Sequence, residues 1–135
     1  MLKELKVNDF AIIYNIDVLF NNGMTAITGE TGAGKSLLID TLSLLCGDRA
    51  DNDMIRFGAS KATILGIFDT NDIINDLLSK EGIKIENELS IYREIKNNGN
   101  VIKINGCNTT LQTLKNISSH LISIHNQNDT MKLFS

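Results

Sequence analysis

The run Gly29-Glu30-Thr31-Gly32-Ala33-Gly34-Lys35-Ser36 fits the pattern GxxxxGK[ST], the loop that wraps a phosphate chain. Glycines at 29, 32 and 34 let main-chain N–H groups turn inward where a Cβ would intrude. A helix opening on this loop adds the partial positive charge of its N-terminus. Lys35 is placed to reach the β- and γ-phosphates. The Ser36 hydroxyl is placed to join Mg²⁺, a hard cation that takes oxygen ligands and bridges terminal phosphates. The binding stretch is therefore Gly29, Glu30, Thr31, Gly32, Ala33, Gly34, Lys35, Ser36 and Leu37, with Lys35 as the catalytic cation and Ser36 as the metal contact. No base-reading motif stands out, so the pattern alone does not choose between ATP and GTP.

Turnover needs more than a phosphate cradle. A carboxylate must hold Mg²⁺ at the end of a second apolar strand, and another group must orient the attacking water. Ile64-Leu65-Gly66-Ile67-Phe68-Asp69 has the form of apolar residues ending in an acid, but Thr70 follows where a glutamate would be needed. Asp69 is therefore read first as a strand-ending turn or helix-cap residue and second as a Mg²⁺ ligand. His120 and His125 flank an apolar stretch and read as hydrogen-bonded structural residues.

The motif must be carried by a strand and a helix, and both are legible. Met24 to Thr28 predicts a short buried strand running into the glycines, after turn chemistry at Asn21-Asn22-Gly23. From Ser36 to Cys46, Leu37, Leu38, Ile39, Leu42, Leu44 and Leu45 cover most of a helical wheel and leave Ser36, Asp40, Ser43 and Gly47 on one stripe. Gly47 supplies the stop. Upstream, Leu5, Val7, Phe10 and Ile12 alternate with polar residues, and Ile16, Val18 and Phe20 alternate again after Tyr14-Asn15, predicting two strands joined by a tight turn. Downstream, the pattern predicts a strand over 62–68 and a helix over 72–79 capped by Asn71. A hairpin of 88–95 with 101–104 closes through a five-residue loop, a helix runs from Thr110 to about Ile117, and a strand covers 121–124.

The chain has 135 residues, 42% hydrophobic and 21% charged, with net charge −3, which fits one α/β-sized domain. Its apolar stretches fall short of the ~18 residues a membrane span needs. Met1-Leu2-Lys3-Glu4-Leu5-Lys6 mixes acid and base before any apolar run, so the start does not read as a signal peptide. Cys46 and Cys107 lie far apart without a CxxC or Cys/His cluster and read as ordinary reduced thiols. An acidic balance with arginine only at 49, 56 and 93 leaves no broad footprint for a nucleic-acid backbone.

Several blocks together carry a family resemblance. They are Leu5-Lys6-Val7-Asn8-Asp9-Phe10-Ala11-Ile12-Ile13, the loop from Thr28 to Ser36, Leu37-Leu38-Ile39-Asp40, Gly47-Asp48-Arg49-Ala50 and Asp53-Met54-Ile55-Arg56-Phe57-Gly58-Ala59. With Ile104-Asn105-Gly106 and Leu121-Ile122-Ser123-Ile124-His125-Asn126-Gln127, the chain resembles the start of the bacterial DNA repair protein RecN family. The resemblance implies an α/β P-loop NTPase fold: an ABC/SMC-type N-terminal half-head whose mixed sheet joins antiparallel N-terminal strands to the P-loop strand and helix.

Residues 1–135 are then the N-terminal ATPase half-head. The coiled coil and C-terminal half-head lie outside them, and a second head completes the dimer. The implied cofactors are ATP and Mg²⁺, and the implied setting is cytoplasmic and nucleoid-associated, in recombinational repair of DNA double-strand breaks. DNA is reached through the full-length protein. Gln127 takes the Q-loop role, catalytic and in contact with Mg²⁺, although Asn126 precedes it and Asn128-Asp129 follow where the family usually carries glycine and histidine. Arg49 or Arg56 is implied near the phosphates or the head interface, and Asn8 or Phe10 near the adenine. The sequence has no LSGG-type signature, Walker B glutamate, switch histidine or long heptad region, so binding of Mg·ATP without appreciable hydrolysis is the expectation. Two other readings remain: a free-standing P-loop kinase using Asp69, and a truncated product with an unpaired sheet edge.

Overall fold

The computed structural model describes residues 2–20, 32–125 and 130–133. Among these, β1 (Leu2–Phe10), β2 (Ile13–Leu19), β3 (Lys61–Asp69), β4 (Glu88–Lys96), β5 (Gly99–Ile104) and β6 (Cys107–Asn108) form a sheet in the order β2-β1-β3-β4-β5-β6. Every neighbouring pair is antiparallel. The expected strand over 24–28, which would make the sheet mixed, lies outside the described residues.

The sheet buries one face because its strands alternate. Ala62, Ile64, Gly66 and Phe68 of β3 stand opposite Ile95, Arg93, Ile91 and Leu89 of β4, and all point inward. Leu5 and Val7 of β1 extend the same face in register with Gly66 and Ile64. Three helices supply the other half of the core: α1 (Gly32–Leu45), α2 (Asp72–Lys80) and α3 (Leu111–Ser118). Leu42, Leu44 and Leu45, Ile74 and Leu78, and Leu114 and Ile117 join one buried cluster with the strands. No helix among the described residues is long and apolar enough to cross a membrane.

Caps set the short helices where the sequence places them. Asn71 Oδ1 accepts from the Ile74 N–H at 2.9 Å, and Thr110 Oγ1 accepts from the Thr113 N–H at 3.2 Å. The strand expected over 121–124 runs Ile122–His125 as β7 and pairs with β8 (Thr130–Leu133), a strand the sequence pattern did not announce.

Three boundaries differ from expectation. The β1–β2 reversal sits at Ala11-Ile12, not Tyr14-Asn15, with Phe10 paired to Ile13. A distant segment decides it: Ala11 N–H donates to Met54 O at 2.7 Å, Arg56 N–H to Asp9 O at 2.8 Å, and Asp9 and Ala11 take φ of 54° and 53°. The β4–β5 hairpin closes through Asn97-Asn98 rather than five residues, since Lys96 already faces Gly99, whose φ of 141° suits only glycine. Finally, α1 begins at Gly32, four residues before the expected Ser36. The first-turn N–H groups of a helix need no internal acceptor, so the glycines of the motif can take helical geometry there.

Candidate nucleotide-binding site

Gly32, Ala33, Gly34, Lys35 and Ser36 occupy the opening turns of α1, so five of the eight residues of the phosphate motif belong to the helix N-terminus itself. The first turn carries no acidic side chain. An acid-free first turn leaves the partial positive charge of the helix N-terminus without a carboxylate of that turn beside it, which favours an anionic ligand. Gly29, Glu30 and Thr31, the front of the motif, lie outside the described residues. Leu37, one turn further, is half-buried against the core.

The opposite end of α1 is clamped. Gly47 N–H donates to Leu44 O at 3.1 Å and Asp48 N–H to Ser43 O at 3.2 Å, with Gly47 at φ 104°. This double closure satisfies carbonyls that the helix end leaves free. Gly47 is buried, not part of an outward stripe: a Cβ there would meet Lys115 of α3, with its Cα and N at 3.3 Å. Ser118 Oγ donates to Cys46 O at 2.8 Å, tying the same end to α3. At the middle of the sheet Gly66 leaves room for Leu45, so the helix lies directly on β3.

Arg93 completes the clamp and was not singled out by sequence reasoning. It is 2% exposed, and its Nη1 donates to Leu44 O at 2.8 Å and to Asp48 O at 2.5 Å. The last turn of α1 has no basic residue of its own, so β4 supplies the cation that complements the negative helix end. Burial pushes the guanidinium below its ordinary pKa, while the Asp48 carboxylate pulls it upward. The signal was present: in Leu89-Ser90-Ile91-Tyr92-Arg93-Glu94-Ile95, an arginine occupies an inward position of an alternating strand.

The other two arginines diverge. Arg56 reaches Asp9 Oδ1 at 3.9 Å and lies over the Tyr14 ring, 5.1 Å from its centroid, at the β1–β2 hairpin. Arg49 is exposed beside the α1 C-terminus, in the wall of a small cavity with Arg93. Of the residues expected near a base, Phe10 is buried in the core, and Asn8 is held in the sheet by Asn15 at 2.6 Å and Thr63 at 3.4 Å.

The AAA domain family matches residues 4–135. The chain belongs to that family. Within it, the chain is similar to the N-terminal part of the DNA repair protein RecN. It is 38% identical to RecN of Bacillus subtilis over 98% of this chain and 24% of that protein, and 37% identical to RecN of Vibrio cholerae over the same shares. The chain thus spans about a quarter of the length of the curated relatives it matches. Among solved structures, it superposes on the recombination mediator protein RecF-ATPrS with a TM-score of 0.69 at 24% identity, covering 92% of this chain and 31% of that one. An SMC ATPase gives a TM-score of 0.68 at 24% identity, covering 87% of this chain and 77% of that one. The α/β fold is accordingly that of the P-loop NTPase heads of SMC and RecF proteins.

The remaining candidates of this AAA domain separate clearly. Asp69 ends β3 with its carboxylate 3.8 Å from Lys3 Nζ, and Lys3 also bonds Glu88. It is exposed at the rim of the antiparallel sheet, and it is Asn71, not Asp69, that caps α2. Gln127 lies outside the described residues. His120 is exposed after α3, and His125 ends β7. No group of three His, Cys, Asp or Glu capable of holding a metal occurs among the described residues. Cys46 and Cys107 are free, and burial, aided by the Asp48 carboxylate, raises the Cys46 thiol to about 12.

Proposed function

We propose that the chain binds Mg·ATP as the N-terminal half of a RecN-like ATPase head. The observation that carries this reading is the phosphate motif merging into α1 at Gly32, with an acid-free first turn, in a chain similar over nearly its whole length to RecN. Gly29 to Leu37 would enclose the triphosphate, Lys35 would sit on the β- and γ-phosphates, and Ser36 would give its hydroxyl to Mg²⁺. Gln127 would orient the metal and the attacking water. Bound Mg²⁺ would draw charge from the terminal phosphates. The chain's part is to hold those phosphates on main-chain donors whose helix is immobilised at its far end.

Hydrolysis in this reading waits for groups the sequence lacks: a signature motif and a catalytic glutamate from the rest of a head and from a second head. The completed ATPase would act in the DNA repair role that the relatives' name records, in the bacterial cytoplasm, reaching DNA through the full-length protein. A free-standing kinase through Asp69 is less well supported, because Thr70 follows it where a glutamate would be needed.

Titration calorimetry with Mg·ATP tests the proposal. Saturable heat from the 135-residue chain, abolished by Lys35→Ala, is the expected result. No heat from the folded chain would refute the binding assignment. Robust steady-state turnover that is lost in Lys35→Ala would refute the dependence on a second half-head.

A further inference from the structure

Asn-Gly pairs occur in the sequence at 22–23, 98–99 and 105–106. In such a pair the glycine nitrogen can close a ring on the asparagine Cγ, because glycine has no Cβ to shield the approach. The pair at 22–23 lies outside the described residues, and the other two occupy opposite settings.

Asn105 is 2% exposed, its Oδ1 accepts from the Ser90 N–H at 3.0 Å, and its Nδ2 donates to Lys84 O at 2.9 Å. Both ends of that amide are held, so its Cγ can turn toward the Gly106 nitrogen only after both bonds break. Asn98 stands in the two-residue turn between the paired Lys96 and Gly99. It is exposed, and its side chain has no hydrogen-bond partner among the described residues. A Cβ built on Gly99 or on Gly106 would meet nothing within 4 Å, so the glycine side is open in both pairs. The asparagine side alone separates them.

We propose that Asn98 is a site of spontaneous covalent modification, converted through a cyclic imide to aspartate and isoaspartate, while the fold protects Asn105. The Gly99 nitrogen loses its proton to solvent base and bonds to Asn98 Cγ. The Cγ–Nδ2 bond breaks, and Nδ2 leaves as ammonia with a proton from solvent. Water then opens the imide at either carbonyl, so the net change is one water consumed and one ammonia released, with no redox partner. Opening at the main-chain carbonyl leaves isoaspartate, which routes the chain through the former side chain and adds a methylene to it. Either product puts a carboxylate on the tip of the β4–β5 hairpin. The isoaspartate also lengthens the chain inside the turn that brings Lys96 opposite Gly99. The reaction is independent of nucleotide binding at Gly29 to Ser36.

Peptide mapping tests this directly, because cleavage after lysine separates the two sites into peptides 97–103 and 104–115. The native 135-residue chain is incubated in mildly alkaline buffer, and the amide-to-acid mass change in each peptide is followed with time. Conversion at Asn98 should be at least about tenfold faster than at Asn105, since two hydrogen bonds must break first at the latter. In urea the two rates should converge, which assigns the protection of Asn105 to the fold. An isoaspartyl methyltransferase with labelled methyl donor should mark the 97–103 peptide, and Asn98→Ser should abolish that label. Native Asn98 that stays intact while it reacts in urea overturns the proposal. So does an Asn105 that reacts as fast as Asn98 in the native chain, or acid at residue 98 that carries no isoaspartate label.

Discussion

Gly66 is where the helix carrying the phosphate motif rests on the sheet, and filling it tests that contact. An alanine Cβ at this position would lie 2.7 Å from Leu45 Cδ1 and 2.9 Å from Phe68 Cε1, against about 3.5–4.0 Å for an unstrained carbon contact. Leu45 is 0% and Phe68 1% exposed, so neither can swing into solvent. Overpacking of this size costs about 1–3 kcal/mol, and the lower chain entropy of alanine in the unfolded state returns about 0.5–1 kcal/mol. Gly66→Ala should therefore lose about 1–2 kcal/mol, a fall in Tm of roughly 3–10 °C for a domain of this size. Leu45→Ala should lose about 2–5 kcal/mol by leaving a cavity. In the double variant the new methyl occupies part of the space Leu45 vacates, so the losses should fall short of their sum by about 1 kcal/mol or more. Urea denaturation followed by circular dichroism, with m-values checked for constancy, measures all three. Strict additivity, or a Gly66→Ala chain as stable as its parent, would refute the account of how α1 is seated.

Gly47→Ala should also destabilise, by about 1–3 kcal/mol, because a left-handed φ of 104° coincides with close approach to Lys115; Gly47→Asn should cost less on the backbone side, and thermal melts compare them. Glu94 is held down to about 2 first by the Tyr92 hydroxyl and then by Lys96, with a smaller pull from Lys61. A carboxylate depressed in the folded state stabilises above its unfolded value near 4.5, and that stability is lost as pH falls from there through about 2. Tyr92→Phe, which removes a 2.8 Å hydrogen bond, should move the Glu94 carboxyl titration upward by NMR and shrink the acid-induced loss over that window. With its thiol near 12, Cys46 should resist alkylation at pH 8 in the native chain and react once the chain is unfolded, read by mass spectrometry of the labelled peptide.

What local chemistry controls was legible in order along the chain. The phosphate motif, the Asn71 and Thr110 caps, the Gly47 stop and the alternation of β3 and β4 follow from φ preferences, capping oxygens and side-chain period, which depend on neighbours in sequence. The half-buried and fully buried leucines of α1 likewise follow from the helical wheel. Tertiary structure decided what depends on distant partners. The β1–β2 reversal moved to Ala11-Ile12 because Met54 and Arg56 bond its backbone, and β8 exists through its pairing with β7. Arg93 became the clamp on α1 because β4 brings it to the Leu44 and Asp48 carbonyls. Asp69, apolar-strand context notwithstanding, was drawn to Lys3 at the sheet rim. The division has a single cause: propensity acts over a few residues, whereas hydrogen bonds and charges are satisfied by whatever the folded chain brings within about 3–4 Å.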